Sequence, residues 1–241
     1  MDSVEPYIER RYRGVMEPAG LTCYRVVESE SDLYVCTLGD LGAIAARSLS
    51  SHRAGLERYL TAHPSFGASF TPVPAASGAP GIVSEMAEAA ERFGVGPMAA
   101  VAGAFADHVG RDLLVTSEEV IVENGGDLFL AGGKKRRVRV FAGEGRPTLH
   151  LMVEDTPEGV GLCTSSAGVG PSVSLGIADA VTVLADTAAL ADAAATALAN
   201  RVRSAGDVGR VLEMASGFPG VRGVVVMAGE VLGARGGLEI D

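Results

Sequence analysis

Aromatic and basic residues are scarce in this chain. Phe, Tyr and Trp make up 5% of its 241 residues, Trp is absent, and Val, Leu, Ile and Ala must fill the core. Lys and Arg number 20 against 30 Asp and Glu, which gives a formal net charge of −10. Because phosphate backbones and anionic lipids are bound by clustered Lys and Arg, this balance argues against nucleic acid or membrane as the partner.

Cysteines and long apolar runs are also few. Cys23, Cys36 and Cys163 are odd in number and contain no C-x-x-C pair, which predicts neither a disulfide framework nor a zinc site. No apolar run has the length of a membrane helix, and residues 1–6 lack the basic and apolar regions of a signal peptide. These absences favour a reducing cytoplasm.

The apolar pattern predicts an α+β fold with mainly antiparallel sheets packed by helices. Strand-like runs occur consecutively rather than in strict alternation with helices, and a long helix is predicted over residues 41–62. Residues 64–81, with four Pro and three Gly, are predicted to form a loop. We expect one domain over residues 1–241, and the element order leaves open two intertwined β-β-α-α-β-β halves.

One basic run, residues 134–139, alternates in the manner of a strand, so that Arg137 and Arg139 share a face. The pattern favours a charged edge strand, which resists aggregation. An anion or partner site is the alternative.

An acid and a hydroxyl are predicted on one face of an Ala-rich helix. Asp192 and Thr196 are four residues apart, so they are neighbours on the helix surface. Hard oxygen donors of this kind suit Mg²⁺, with a ligand phosphate completing its shell. The alternative is an exposed polar face.

Three glycine-bearing segments are candidates for ligand contact. Asn124-Gly125 between apolar runs predicts a hairpin turn, beside which Glu123 or Asp127 could contact a sugar or base. Hydroxyls at 164–166 follow a short strand, and Gly96 precedes a predicted helix N-terminus, where free N–H groups favour anions. Each of these patterns also occurs as an ordinary turn.

Together these segments resemble the ApbE-like superfamily of FAD:protein FMN transferases, and in particular a small subfamily of it. The similar segments, in the same order, are residues 94–104, 121–127, 163–166, 178–183 and 191–196. The resemblance extends to residues 31–33 and 63–66 and so covers most of the chain.

The resemblance implies a T-fold-like architecture, a homodimer, and a small-molecule ligand: FAD or FMN with Mg²⁺. It implies metal ligation by Asp192, Thr196 and the main-chain carbonyl of Val101. The implied cofactor-binding residues are Glu123, Asn124, Gly125, Gly126, Asp127, Thr164, Ser165, Ser166 and Gly96. It gives no catalytic residue.

Two departures from the superfamily pattern bear on the reaction. Ala102 stands where the flavin transferases have a lysine, and Pro171 stands where a histidine is expected. Loss of a charge-stabilising group and a proton-transfer group argues against FMN transfer by the usual route. Three hypotheses remain open: an enzyme acting on a flavin or nucleotide, a flavin- or nucleotide-binding protein without turnover, and a metal-independent enzyme acting on a heterocyclic metabolite.

Overall fold

The computed structural model describes residues 18–141, 148–165 and 176–241. The strands are β1 (Thr22–Glu28), β2 (Ser31–Thr37), β3 (Val120–Asn124), β4 (Asp127–Ala131), β5 (Lys135–Val140), β6 (Leu149–Glu154), β7 (Val160–Ser165), β8 (Ala180–Ala185), β9 (Val221–Ala228), β10 (Val231–Gly236) and β11 (Glu239–Ile240). The α-helices are α1 (Gly42–Ala62), α2 (Pro64–Ala68), α3 (Gly81–Phe93), α4 (Val101–Leu114), α5 (Ala188–Ala199) and α6 (Val208–Ala215). Short 3₁₀ turns, Pro97–Ala100 and Ala205–Asp207, precede α4 and α6.

Eight strands form one antiparallel sheet in the order β1-β2-β3-β4-β7-β8-β9-β10, and β11-β6-β5 form a second antiparallel sheet. Alternate residues of the large sheet point to opposite faces. Val122 and Val183 pack against the helices, whereas Ile121 and Leu184 pack against the small sheet. The predicted α+β fold with antiparallel sheets is confirmed.

Strand β5 lies at an edge of the small sheet, as the alternating basic run predicted. Its Lys135 and Arg137 are paired with Glu239 and Asp241, at 2.6 and 2.7 Å. The run therefore has carboxylate partners within the chain, in keeping with a solvated, charged edge strand.

The prediction that the cysteines form no disulfide is wrong, because Cys23 and Cys36 are bonded to each other. The β1–β2 register places them directly opposite, with 4.1 Å between their Cα atoms. Cysteine number and local spacing carry no information about this pairing. Cys163 is buried and free.

One predicted boundary differs from the structure, which also defines the start of α5 and the position of β11. Residues 64–81 begin with the short helix α2, and only the part after it is irregular. Thr187 caps α5, because its hydroxyl accepts the N–H of Leu190 at 3.2 Å. The last strand, β11, does not extend the β9–β10 hairpin and joins the small sheet.

No helix within the described ranges is both long and apolar enough to cross a bilayer.

Candidate functional site

A cavity of about 730 Å³ opens where the β1–β2 turn, α1, the start of α4, the β3–β4 turn, the end of β7 and α5 meet. Many of the predicted site residues line it, although they come from distant parts of the chain. These are Val101, Asn124, Gly125, Asp127, Thr164, Ser165, Asp192 and Thr196. The Asn124–Gly125 turn and the hydroxyls of Thr164 and Ser165 thus line the same cavity as Asp192 and Thr196 of α5.

The other predicted residues lie outside the cavity lining. Glu123 is buried, and its Oε1 accepts the N–H of Gly126 at 2.8 Å, so that it holds the β3–β4 turn in shape. Gly96 packs against main chain: a Cβ there would come within 1.9 Å of the carbonyl oxygen of Ser69. Ser166, like Pro171, lies outside the described residues.

Helices α4 and α5 each supply a carboxylate to the other's first turn. Asp107 of α4 accepts the N–H groups of Ala188 and Ala189, both at 2.8 Å. Asp192 of α5 accepts the N–H of Gly103 at 3.0 Å. Since the first N–H groups of a helix lack intrahelical partners and carry partial positive charge, both contacts are favourable. This exchange fixes the position of Asp192 against the start of α4.

The β3–β4 turn is tied to the same helix end. The Nδ2 of Asn124 donates to the carbonyl of Ala102 at 3.1 Å. Gly125 and Gly126 have φ values of 71° and 106°, a left-handed region that glycine enters without steric cost. The predicted Asn-Gly turn therefore forms, and its amide side chain sets its distance from α4.

The electrostatics of the cavity favour a cation. Burial, together with the nearby charge of Asp127, raises the pKa of Asp192 well above its usual value. Burial, with the charges of Asp127 and Asp192, also raises the pKa of the Cys163 thiol. Two neighbouring carboxylates disfavour each other's ionisation unless a positive charge is placed between them.

The donors available for such a cation are oxygens. The described residues contain no group of three or more His, Cys, Asp or Glu that could hold a metal by themselves. A cation here would need the Thr196 hydroxyl, main-chain oxygens near Val101 and oxygens of a ligand in addition to the carboxylates. An oxygen set completed by ligand phosphate fits Mg²⁺ and does not fit zinc.

The pairing of the two helices predicts a pH dependence of stability. Burial raises the pKa of Asp107 from 3.8 to about 6, although Arg111 and the two α5 N–H groups oppose the shift. Because the pKa of Asp107 is higher in the folded than in the unfolded protein, protonation of this carboxyl stabilises the fold. The stabilisation is fully present below about pH 4 and is lost as the pH rises through about 6.

We therefore compare the free energy of unfolding of the native protein with that of Asp107→Asn. The native value minus the variant value should fall by about 2 kcal/mol between pH 4 and pH 6.5. Urea denaturation at several pH values measures this difference. A difference that stays flat, or that grows with pH, would contradict the assignment.

Sequence comparison identifies the family. The family model described as "AbpE bacteria" matches residues 15–216, which is most of the chain. The chain belongs to this family. Among its relatives, a UPF0280 protein of Methanopyrus kandleri is 39% identical over 220 residues, covering 88% of this chain and 89% of that protein. A UPF0280 protein of Methanocaldococcus jannaschii is 40% identical over 199 residues, covering 80% and 81%.

Solved structures agree with the family assignment at the level of fold. The flavin transferase ApbE of Vibrio cholerae matches with a TM-score of 0.58 and 14% identity, over 91% of this chain and 97% of that chain. The apo form of the flavinyl transferase ApbE of Pseudomonas stutzeri matches with a TM-score of 0.56 and 14% identity, over 90% and 94%. The predicted ApbE-type architecture is confirmed. Identity this low shows the fold alone.

Sequence reasoning missed several residues of the cavity, and one of them had a recognisable pattern. Arg53 lies one helical turn from both Leu49 and Leu56, within the apolar stripe that predicted α1. A charged residue in such a stripe is a candidate for a buried functional role. Phe105 gave no comparable indication, because its neighbours in space come from other segments.

Proposed function

We propose that this protein binds a flavin or related phosphorylated nucleotide, FAD or FMN being the first candidates, together with Mg²⁺ in the cavity between α1, α4 and α5. The observation that carries the proposal is the convergence of Asp127, Asp192 and Thr196, from two elements, on one cavity of about 730 Å³. The volume is within the range of small-molecule sites. Membership of a family with the fold of the flavin transferases supports the choice of ligand.

Each part of the cavity would have a distinct task. Asp192 and Thr196 would ligate Mg²⁺, with the Val101 carbonyl as a further candidate donor and Asp127 adding negative charge. The hydroxyls of Thr164 and Ser165, with the Asn124–Gly125 turn, would contact the polar parts of the ligand. Apolar side chains on the other walls would cover its ring; these are Leu56, Leu60, Met98 and Phe105. A bound Mg²⁺ would supply charge stabilisation at phosphate oxygens.

The residues of the cavity favour binding over the usual FMN transfer. Ala102 lines the cavity at the position where the flavin transferases have a lysine. Its methyl group cannot stabilise a developing negative charge. Removal of one such group lowers a rate by roughly 10²–10³. A binding protein without turnover is therefore the simplest form of the proposal, and an enzyme acting on the same ligand is the second.

One set of measurements distinguishes a binding protein from an enzyme acting on the same ligand. FAD is titrated into the protein with and without Mg²⁺, and AMP is then measured over time. Mg²⁺-dependent binding without AMP is the expected result, whereas AMP release would identify an enzyme that cleaves the pyrophosphate. If neither FAD nor FMN binds at any Mg²⁺ concentration, the proposal fails and a metal-independent heterocycle site takes its place. The homodimer stays a prediction, which light scattering can check.

A further inference from the structure

Arg53 is a charged residue on the core-facing side of α1, and it lines the cavity. Only 11% of its side chain is exposed. Its helical neighbours on that side, Leu49 and Leu56, are buried in the main core. Since burying a guanidinium is costly unless its N–H groups are paired, its position requires partners.

Those partners satisfy part of the guanidinium. The Nη1 group donates to the Oγ of Ser31 at 2.7 Å, and Nη2 donates to Glu30 and Glu57, both at 2.8 Å. A guanidinium has five N–H donors. The Nε–H of Arg53 is buried and has no partner among the described residues. A buried N–H without an acceptor destabilises a folded protein. A ligand atom that accepts its hydrogen bond would remove this destabilisation.

Arg53 is also the one cationic side chain among the described residues that line the cavity, whose acids are Glu30, Glu57, Asp127 and Asp192. A phosphate near Asp127 and Asp192 would be repelled by them unless a cation lies between. A cation at Asp192 can offset that repulsion locally, but the cavity offers no other positive side chain for a second anionic group. Arginine is suited to such a group because its planar donors match phosphate geometry.

The surroundings of Arg53 contain further donors and one unusual backbone conformation. Ser29 and Ser31 of the β1–β2 turn line the cavity beside it. Ser29 has φ of 50°, in the left-handed region that non-glycine residues seldom adopt. Glu30 is 88% exposed, so its carboxylate can return to water at little cost if a ligand anion replaces it.

We propose that Arg53 binds an anionic group of the ligand, a phosphate or pyrophosphate, separate from the oxygens that a metal would hold at Asp192. Its Nε–H, its free Nη1 hydrogen and the Nη2 hydrogen released by Glu30 are the donors, and Glu57 orients the guanidinium. The phosphorylated identity of the ligand rests on the proposed function, whereas the anion site can be tested without a flavin.

Isothermal titration with inorganic pyrophosphate and Mg²⁺ tests the site in the full chain, with riboflavin as a phosphate-free second probe. Arg53→Gln should weaken pyrophosphate binding by about tenfold or more and leave riboflavin binding unchanged. The matched control is Arg58→Gln, which removes an exposed arginine of the same helix that does not line the cavity. It should change neither affinity.

Glu30→Gln separates anion binding from a merely structural ion pair. If Arg53 binds the anion, loss of the competing carboxylate should raise pyrophosphate affinity, and this gain should be absent when Glu30→Gln is combined with Arg53→Gln. The inference is overturned if native protein shows no pyrophosphate binding, or if Arg53→Gln binds it as tightly as native protein does. If riboflavin and FAD do not bind but pyrophosphate binding still depends on Arg53, the flavin proposal fails and the anion site stands.

Discussion

Asp192→Asn is expected to lower the Mg²⁺-dependent affinity for FAD by roughly a hundredfold or more. Even residues that only support metal ligands change metal affinity by about 10–100-fold, and loss of a direct carboxylate ligand should cost at least as much. The measurement is an FAD titration at saturating Mg²⁺ and again with chelator. Affinity without Mg²⁺ should not fall, since the lost interaction is with the metal.

The same substitution should leave the metal-free protein folded and no less stable. Asp192 is held close to Asp127, and this like charge is one cause of its raised pKa. An uncharged amide removes the repulsion and keeps an oxygen that can accept the Gly103 N–H. Asp186→Asn is a suitable control, because Asp186 pairs with Arg222 at the surface, outside the cavity. Mg²⁺-dependent affinity that survived Asp192→Asn would remove Asp192 from the metal site.

Gly103→Ala is expected to destabilise the protein by about 3 kcal/mol or more. A Cβ at this position would lie 2.2 Å from the carbonyl oxygen of Ala188 and 2.5 Å from its carbonyl carbon. Both atoms are main chain, so no rotamer change can relieve the contact, and α4 and α5 would have to separate. Overpacking of a close-packed interior costs typically 1–3 kcal/mol, and the helix–helix contact here also includes the bonds from Asp107 and Asp192.

The matched control is Gly209→Ala in α6, where a Cβ would meet no heavy atom within 4 Å. There alanine should raise the free energy of unfolding by roughly 0.5–1 kcal/mol, because glycine is the poorer helix former. Urea denaturation measures both variants. Equal midpoints for Gly103→Ala and native protein would show that α4 and α5 are not in such close contact.

Local pattern was sufficient where neighbours in sequence decide the structure. The apolar spacing over residues 41–62 predicted α1 nearly to its ends, and Asn124-Gly125 predicted the β3–β4 turn. The Asp192 and Thr196 pair was identified by its four-residue spacing alone. The disulfide was not predicted, because the number and spacing of the cysteines do not reveal the β1–β2 register that places Cys23 opposite Cys36.

Arrangements between distant segments could not be read in this way. Asp107 follows no motif, yet it caps a helix 81 residues further along the chain. Gly96 was predicted to contact a ligand from its place before a helix, but packing against Ser69 accounts for it.

The sequence by itself determined the α+β class, the extent of α1, the β3–β4 turn and the residue types that could hold a cation, because these depend on periodicity and on side-chain chemistry. Only the tertiary structure decided that Asp127, Asp192 and Arg53 share one cavity. The physical reason is that their proximity results from packing of α1, α4 and α5 on one sheet, which is set by many weak long-range contacts and not by any local pattern.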